Sequence, residues 1–183
     1  VRMVSFTGGP EVGNRILAQT GLKKIGMELG SNCPSIVMAD ADLELAVSST
    51  VSGAFWAAGQ NCLHVQRIFI EQEIYEAFSN SFVEQTKSLK VGNKLDETTD
   101  VGPMINDGAL QKVKDFVKDA ISHGGHLLAG GNSSGRFFEP TVLDNVSPEC
   151  LISKEEVFGP VVALYPFENI NDAIQRANDV DLG

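Results

Sequence analysis

The sequence predicts an α/β fold with a largely parallel sheet covered by helices on both faces. Short apolar runs alternate along the chain with longer segments of helical periodicity. Strands separated by helices need crossover connections, which leave neighbouring strands parallel. Hydrophobic residues make up 43% of the 183 residues and charged residues 21%, a balance that supports a packed core.

The elements follow in order. Val1 to Phe6 reads as a buried strand, and Thr7-Gly8-Gly9-Pro10 turns into a helix over about Glu11 to Gln19. Pro10 suits the first helical turn, where a missing N–H costs nothing. Lys24 to Leu29 is a strand ended by Gly30, and Ser35 to Met38 is another, fully buried by its composition. Asp42 can cap a long, Ala-rich helix through Ala58, stopped by Gly59. Gln66 to Glu71 is a strand, and Gln72 to Leu89 has helical periodicity in Ile74, Phe78, Phe82 and Val83. Asp107 to Ser122 repeats that pattern with Leu110, Val113, Phe116, Val117 and Ile121, ended by Gly124 and Gly125. His126 to Ala129, Thr141 to Leu143 and Val161 to Tyr165 complete the strands, and Gly130 to Gly135 fits an exposed turn.

Fourteen Lys and Arg against twenty-four Asp and Glu give a formal net charge of −10. That acidity argues against nucleic acid and anionic membrane surfaces as partners, since both require a basic face. No apolar run reaches the roughly 18 to 20 residues of a membrane span. The three cysteines include no CxxC pair, so neither a disulfide framework nor a zinc ribbon is expected, and a cytoplasmic, reducing location fits. His123 and His126 straddle a Gly-Gly turn. With His64 they make no metal set with the cysteines, so no metal is expected. Both ends look cut, the first inside a strand and the last just after a helix around Ile174 to Asn178. The chain is therefore expected to be a piece of a longer protein.

Four segments could carry chemistry. Phe6-Thr7-Gly8-Gly9-Pro10-Glu11-Val12-Gly13 leads a strand through glycines into a helix N-terminus, which offers N–H groups and a positive dipole end to an anion such as a pyrophosphate, although it is not the GxGxxG fingerprint. Taken alone, the segment fits a plain strand-to-helix turn better than an anion site. Glu28, in Met27-Glu28-Leu29-Gly30, sits at a strand end, where open parallel sheets keep ligand crevices. Partial burial there would suit a general base, the alternative being a carboxylate paired with a nearby lysine. Cys62, in Gly59-Gln60-Asn61-Cys62, lies on a loop among small and polar residues, a place where a nucleophilic thiol can be presented. Cys33 and Cys150 fit ordinary buried thiols better. Glu155-Glu156-Val157-Phe158-Gly159-Pro160 places two acids, an aromatic and a Gly-Pro turn just before a strand.

Together these segments resemble the aldehyde dehydrogenase superfamily. The resemblance spans essentially the whole chain: FTGGPEVG at Phe6 to Gly13, MELG at Met27 to Gly30, GQNC at Gly59 to Cys62, GPMI at Gly102 to Ile105, FEPTVL at Phe138 to Leu143 and EEVFGPVV at Glu155 to Val162. It implies an enzyme that oxidises an aldehyde to a carboxylic acid with NAD or NADP. Cys62 would attack the carbonyl and pass through a thiohemiacetal to a thioester, and Glu28 would activate the hydrolytic water. Glu156 would bind the nicotinamide ribose, Phe158 would pack beside the nicotinamide, and Gly8 and Gly9 would meet the pyrophosphate. This chain departs from the family's common serine after FTG, having Gly9 and Pro10, and from its ELGGK, having Glu28-Leu29-Gly30-Ser31-Asn32.

The resemblance further implies that residues 1–30 are the tail of a nucleotide-binding domain. Residues 31–183 would then be a catalytic domain lacking its C-terminal end. Most of the nucleotide-binding sheet and the oxyanion-hole asparagine would lie outside the chain. The piece alone is thus expected to be inactive, and the whole protein a homo-oligomer. Two other chemistries compete: a CoA-acylating dehydrogenase, and a cysteine hydrolase pairing Cys62 with His64 or His126.

Overall fold

The computed structural model describes residues 1–182, and Gly183 lies outside the described residues. Strand β1 (Met3–Thr7) leads into helix α1 (Pro10–Thr20) and then β2 (Lys24–Glu28), which pairs in parallel with β1. A second sheet takes β3 (Pro34–Val37), β4 (Arg67–Glu71), β5 (His126–Ala129), β8 (Thr141–Asp144) and β9 (Val161–Phe167) in the order β3-β4-β9-β8-β5. Its strands are parallel except β5, which runs antiparallel to β8 at one edge. Helices α2 (Leu43–Phe55), α3 (Tyr75–Ser88), α4 (Asp107–Ser122), α5 (Leu151–Lys154) and α6 (Ile170–Ala177) connect them. The Gly130 to Gly135 segment belongs to a small hairpin of β6 (Ser133–Ser134) and β7 (Phe137–Phe138).

The period-2 alternation of the central strand builds two cores. Val161, Ala163, Tyr165 and Phe167 of β9 join Phe69 of β4, Val113, Phe116 and Val117 of α4, and Ala173 and Ala177 of α6 in one cluster. Val162 and Leu164 join Ile68 and Ile70 of β4, Val47 and Val51 of α2, and Phe78 and Phe82 of α3 in the other. Helices therefore cover both faces, and each large apolar side chain so buried contributes about 1.5–3 kcal/mol. The expected N-cap is present, with Asp42 Oδ1 accepting from the Leu45 N–H at 3.0 Å. Asn106 caps α4 in the same way through the Ala109 N–H at 2.8 Å.

Several expectations are corrected. The strands read as buried, Val1 to Phe6 and Ser35 to Met38, are partly exposed here: Met3 is 54% exposed and Ile36 37%. Both lie at sheet edges among the described residues, so apolar composition alone does not cover them. Helix α2 stops at Phe55 rather than Ala58, because Ala57 (φ 53°), Ala58 (φ 56°) and Gly59 (φ 64°) wind left-handed. Alanine favours helix locally, yet the buried Ala58 and the packing of Gly59 impose the reversal. The histidines are not all separate from the cysteines either: one ring nitrogen of His123, a carboxylate oxygen of Asp119 and the Cys150 sulfur lie within 4.8 Å of one another. Spacing hid this, since Cys150 approaches α4 only through the fold.

Candidate active site

Three loops lead into neighbouring parallel strands: residues 29–33 into β3, 60–66 into β4 and 155–160 into β9. They sit at the N-terminal ends of these strands. The first sheet offers its C-terminal ends instead, with Gly8 and Gly9 after β1 and Glu28 closing β2. The Gly8 N–H donates to the Glu28 carbonyl at 3.0 Å, tying two of the predicted residues together through backbone. The Glu28 side chain is exposed, not partly buried as expected.

Cys62 is exposed on a loop whose backbone is fixed on several sides. Gln60 clamps it, its Oε1 accepting from the Ile105 N–H at 2.9 Å and its Nε2 donating to the Pro103 carbonyl at 3.2 Å. This joins the GQNC and GPMI segments and gives the glutamine a role invisible in one dimension. Asn61 Nδ2 donates to the Trp56 carbonyl at 3.1 Å. Gly59 lies against the Phe158-Gly159-Pro160 turn so closely that a Cβ would stand 2.2 Å from the Gly159 carbonyl oxygen.

Ser31 joins the loops. Its N–H donates to Glu156 Oε1 at 3.1 Å, and its hydroxyl donates to the Cys62 carbonyl. The Cys33 thiol approaches the same carbonyl at 3.5 Å and the Ser31 hydroxyl at 3.3 Å. Cys33 is half-buried at the site, not the ordinary buried thiol its Pro-flanked position suggests. Gly30 is confined between Glu156 and Pro10, where a Cβ would meet Glu156 Oε2 at 2.8 Å and the Pro10 Cδ at 3.4 Å. Glu156, Ser31, Cys62 and the start of α1 are thereby linked. The loop carrying Glu156 and Phe158 is anchored by buried Gln66, which donates to the Ile152 and Glu155 carbonyls at 2.8 and 2.7 Å and accepts from the Val157 N–H at 2.8 Å. Phe158 itself has φ 53° and is 38% exposed, a left-handed conformation that bulky residues keep only when their surroundings enforce it.

The Gly59 contact gives a direct test of this packing. Gly59→Ala combines a positive φ with a backbone collision and is expected to destabilise by about 2–4 kcal/mol. Gly135→Ala, with φ +54° and nothing within 4 Å of the added Cβ, is expected to cost only about 1 kcal/mol. Denaturant titration of both variants checks the contrast, and equal losses would mean the Gly59–Gly159 contact does not constrain the loop.

The imidazoles do not serve Cys62. His64 is buried, and neither ring nitrogen has a hydrogen-bond partner. His126 Nδ1 pairs with Asp144 Oδ1 at 3.0 Å on the edge strand β5. Burial lowers the His64 pKa from 6.5 to about 4, the nearby Ala54 carbonyl offsetting only part of this. Because the folded state resists the proton, its contribution to stability is full above pH 6.5 and is lost as the pH falls toward 4. The loss amounts to about 3 kcal/mol. Chemical denaturation at pH 7 and pH 4.5 should show a smaller acid loss in His64→Leu than in the parent, and identical losses would refute the assignment.

An exposed thiol on a braced loop, joined through Ser31 to the Glu156 loop, which packs at Gly30 against Pro10 of α1, is an arrangement able to present a nucleophile. Residues 1–183 match the aldehyde dehydrogenase family throughout. An aldehyde-dehydrogenase-like protein of Sinorhizobium fredii is 50% identical over 181 residues, covering 99% of this chain and 35% of that protein. Aspartate-semialdehyde dehydrogenase 1 of Pseudomonas canavaninivorans is 49% identical over 179 residues, covering 98% of this chain and 38% of that protein. The crystal structure of betaine aldehyde dehydrogenase from Staphylococcus aureus in complex with NAD+ superposes with a TM-score of 0.92 at 38% identity, covering 98% of this chain and 38% of that one. The chain belongs to the aldehyde dehydrogenase family. It spans between a third and two fifths of the length of these relatives. Among the described residues no helix is long and apolar enough to cross a membrane.

Proposed function

We propose that the protein to which this chain belongs oxidises an aldehyde to a carboxylic acid with NAD or NADP, using Cys62 as nucleophile and Glu28 as the base for hydrolysis. The observation that carries this reading is the Ser31 bridge, which fastens the Cys62 carbonyl to the loop of Glu156. The Cys62 thiol would add to the aldehyde carbon to give a thiohemiacetal. Its oxyanion would be held at the Cys62 N–H, a group that donates to no backbone carbonyl among the described residues. The Ser31 hydroxyl fixes the peptide that follows Cys62, and Asn61 Nδ2 on the Trp56 carbonyl holds the residue before it.

The residues present fit a dinucleotide. Gly9 caps α1 without a side-chain hydrogen bond, and a Cβ there would meet nothing within 4 Å. The Glu11 and Val12 N–H groups are thus open to a phosphate, Pro10 having none and that of Gly13 bonding the Gly9 carbonyl. Gly9 would hold the pyrophosphate, with Gly8 meeting it only by close backbone approach because its N–H is given to the Glu28 carbonyl. Glu156 would hold the nicotinamide ribose through the oxygen not given to Ser31, and Phe158 the nicotinamide face. When bound, the cofactor supplies the hydride acceptor that turns the thiohemiacetal into a thioester. Glu28 would then take a proton from the water that attacks the thioester, releasing the acid and restoring the thiol.

The unpartnered ring of His64 and the Asp144 pairing of His126 speak against a cysteine–histidine hydrolase. A carboxylate at Glu28 favours water over CoA as acyl acceptor. The separate β1–β2 sheet supports assigning residues 1–30 to the nucleotide-binding domain and 31–183 to the catalytic domain. A relative named for aspartate semialdehyde makes small aldehydes with a distal carboxylate the first substrates to test. Assaying a panel of such aldehydes with NAD+ and NADP+ on the full-length enzyme is the test, and no aldehyde-dependent reduction of either cofactor would overturn the reading.

A further inference from the structure

Away from the Cys62 loops, Asp119 lies in the last turn of α4, His123 caps that helix four residues on, and Cys150 immediately precedes α5. One ligating atom from each, a carboxylate oxygen, an imidazole nitrogen and the sulfur, lies within 4.8 Å of the other two. We propose that Asp119, His123 and Cys150 form a zinc-binding site that fastens the end of α4 to the segment leading into Glu156 and Phe158.

The chemistry of the donor set favours zinc. A thiolate with an imidazole is the borderline-soft combination that zinc takes, while magnesium and calcium prefer all-oxygen sets. With zinc bonds of roughly 2.0–2.3 Å, tetrahedral ligand atoms stand somewhat under 4 Å apart. The three atoms must therefore draw somewhat closer, and His123 must either give up the 2.9 Å contact of its Nδ1 with the Asp119 carbonyl or bind through Nε2. Three protein ligands leave a fourth position for water or for a carboxylate. Glu149 adjoins Cys150 in the sequence and now pairs with Lys154 at 2.5 Å.

Support and access are both in place. The Leu151 N–H donates to Asp119 Oδ2 at 2.8 Å, fixing the carboxylate while leaving Oδ1 to face His123 Nδ1 at 3.4 Å. A hydrogen bond behind a ligating carboxylate is the usual way such ligands are aimed. Cys150 is fully buried, whereas the His123 side chain is 48% exposed and that of Asp119 22%. The sulfur thus forms the floor of the site and the other two its open side. Burial and the Asp119 charge push the Cys150 thiol pKa up, so without metal the thiol keeps its proton, and an entering zinc ion displaces it to solution. The structural consequence follows from chain order. Cys150 is followed by α5, whose Ile152 carbonyl, with that of Glu155, accepts from Gln66, and then by Glu156. A clip at Cys150 pins one end of that anchored segment.

Binding is tested on protein carrying Cys33→Ser and Cys62→Ser, which removes the two more accessible thiols of this chain. Cobalt(II) titration should give near-ultraviolet thiolate-to-cobalt charge transfer with tetrahedral visible bands, and zinc should displace cobalt at one equivalent. His123→Ala alters an exposed side chain and leaves the fold in place. It should weaken zinc binding by more than ~10-fold, the lower end of what disturbing even an outer partner costs. Cys150→Ser should abolish the charge-transfer band. That variant replaces a buried group and can fail to fold, so His123→Ala and Asp119→Asn carry the decision. No charge-transfer band in the parent, or unchanged zinc affinity in both of those variants, would overturn the proposal.

Discussion

Cys62→Ala is expected to abolish aldehyde oxidation by the full-length enzyme, with a loss of ~10⁵-fold or more in kcat, because the other thiol at the site, Cys33, is half-buried and turned to the Cys62 carbonyl and the Ser31 hydroxyl. The fold should survive the change. The loop is held by Gln60, by the close Gly59–Gly159 approach and by the Cys62 carbonyl on Ser31, and none of these contacts uses the Cys62 side chain. A thermal midpoint within a degree or two of the parent alongside dead activity would separate chemistry from unfolding. Alkylation offers a second measurement. Cys62 is exposed, Cys33 half-buried and Cys150 buried, so iodoacetamide should label them in that order, with activity falling in step with Cys62. Equal labelling of all three with activity intact would remove Cys62 from the mechanism.

The way this site is assembled explains which parts were legible in the sequence. Cys62, Glu156 and Phe158 are picked out by the resemblance of their motifs to the family, since local chemistry alone leaves a buried thiol and a solvated acidic turn as plain alternatives. The helix of residues 107–122 was legible to the residue, since its periodicity and glycine stop are local signals. Ser31, Gln60 and Gln66 carry no such mark. Their function is to connect loops far apart in sequence, Ser31 to Glu156 across 125 positions and Gln60 to Pro103 across 43. Only the parallel order β3-β4-β9 makes those loops neighbours. The end of α2 was misread for a related reason. Ala57 and Ala58 favour helix by themselves, and the left-handed turn they form ends at Gly59, which packs against Gly159 too closely for a side chain. Where a side chain's role is to join distant segments, composition and spacing cannot reveal it.

Glu28→Gln is expected to separate the two halves of the reaction. Glutamine keeps the size and hydrogen-bonding reach of the side chain but cannot accept a proton from water. Acyl-enzyme hydrolysis should therefore slow by ~10²–10⁴-fold, the usual contribution of a positioned general base. Formation of the thioester depends on Cys62 and the bound cofactor and should proceed. The expected trace is a burst of reduced cofactor close to one equivalent per active site, followed by a slow steady rate. Stability should change little, because Glu28 is exposed and its one backbone tie to Gly8 runs through the carbonyl, which the substitution retains. A structural role would give the opposite pattern, with a lowered melting temperature, no burst, and loss of both steps together. A small nucleophile that needs no base, such as hydroxylamine, should release the acyl group from Glu28→Gln enzyme. Steady turnover restored by hydroxylamine would place the defect at deacylation. A Glu28→Gln enzyme that hydrolyses its thioester at the parent rate would return Glu28 to the status of a strand-end carboxylate and leave the hydrolytic base to be found elsewhere.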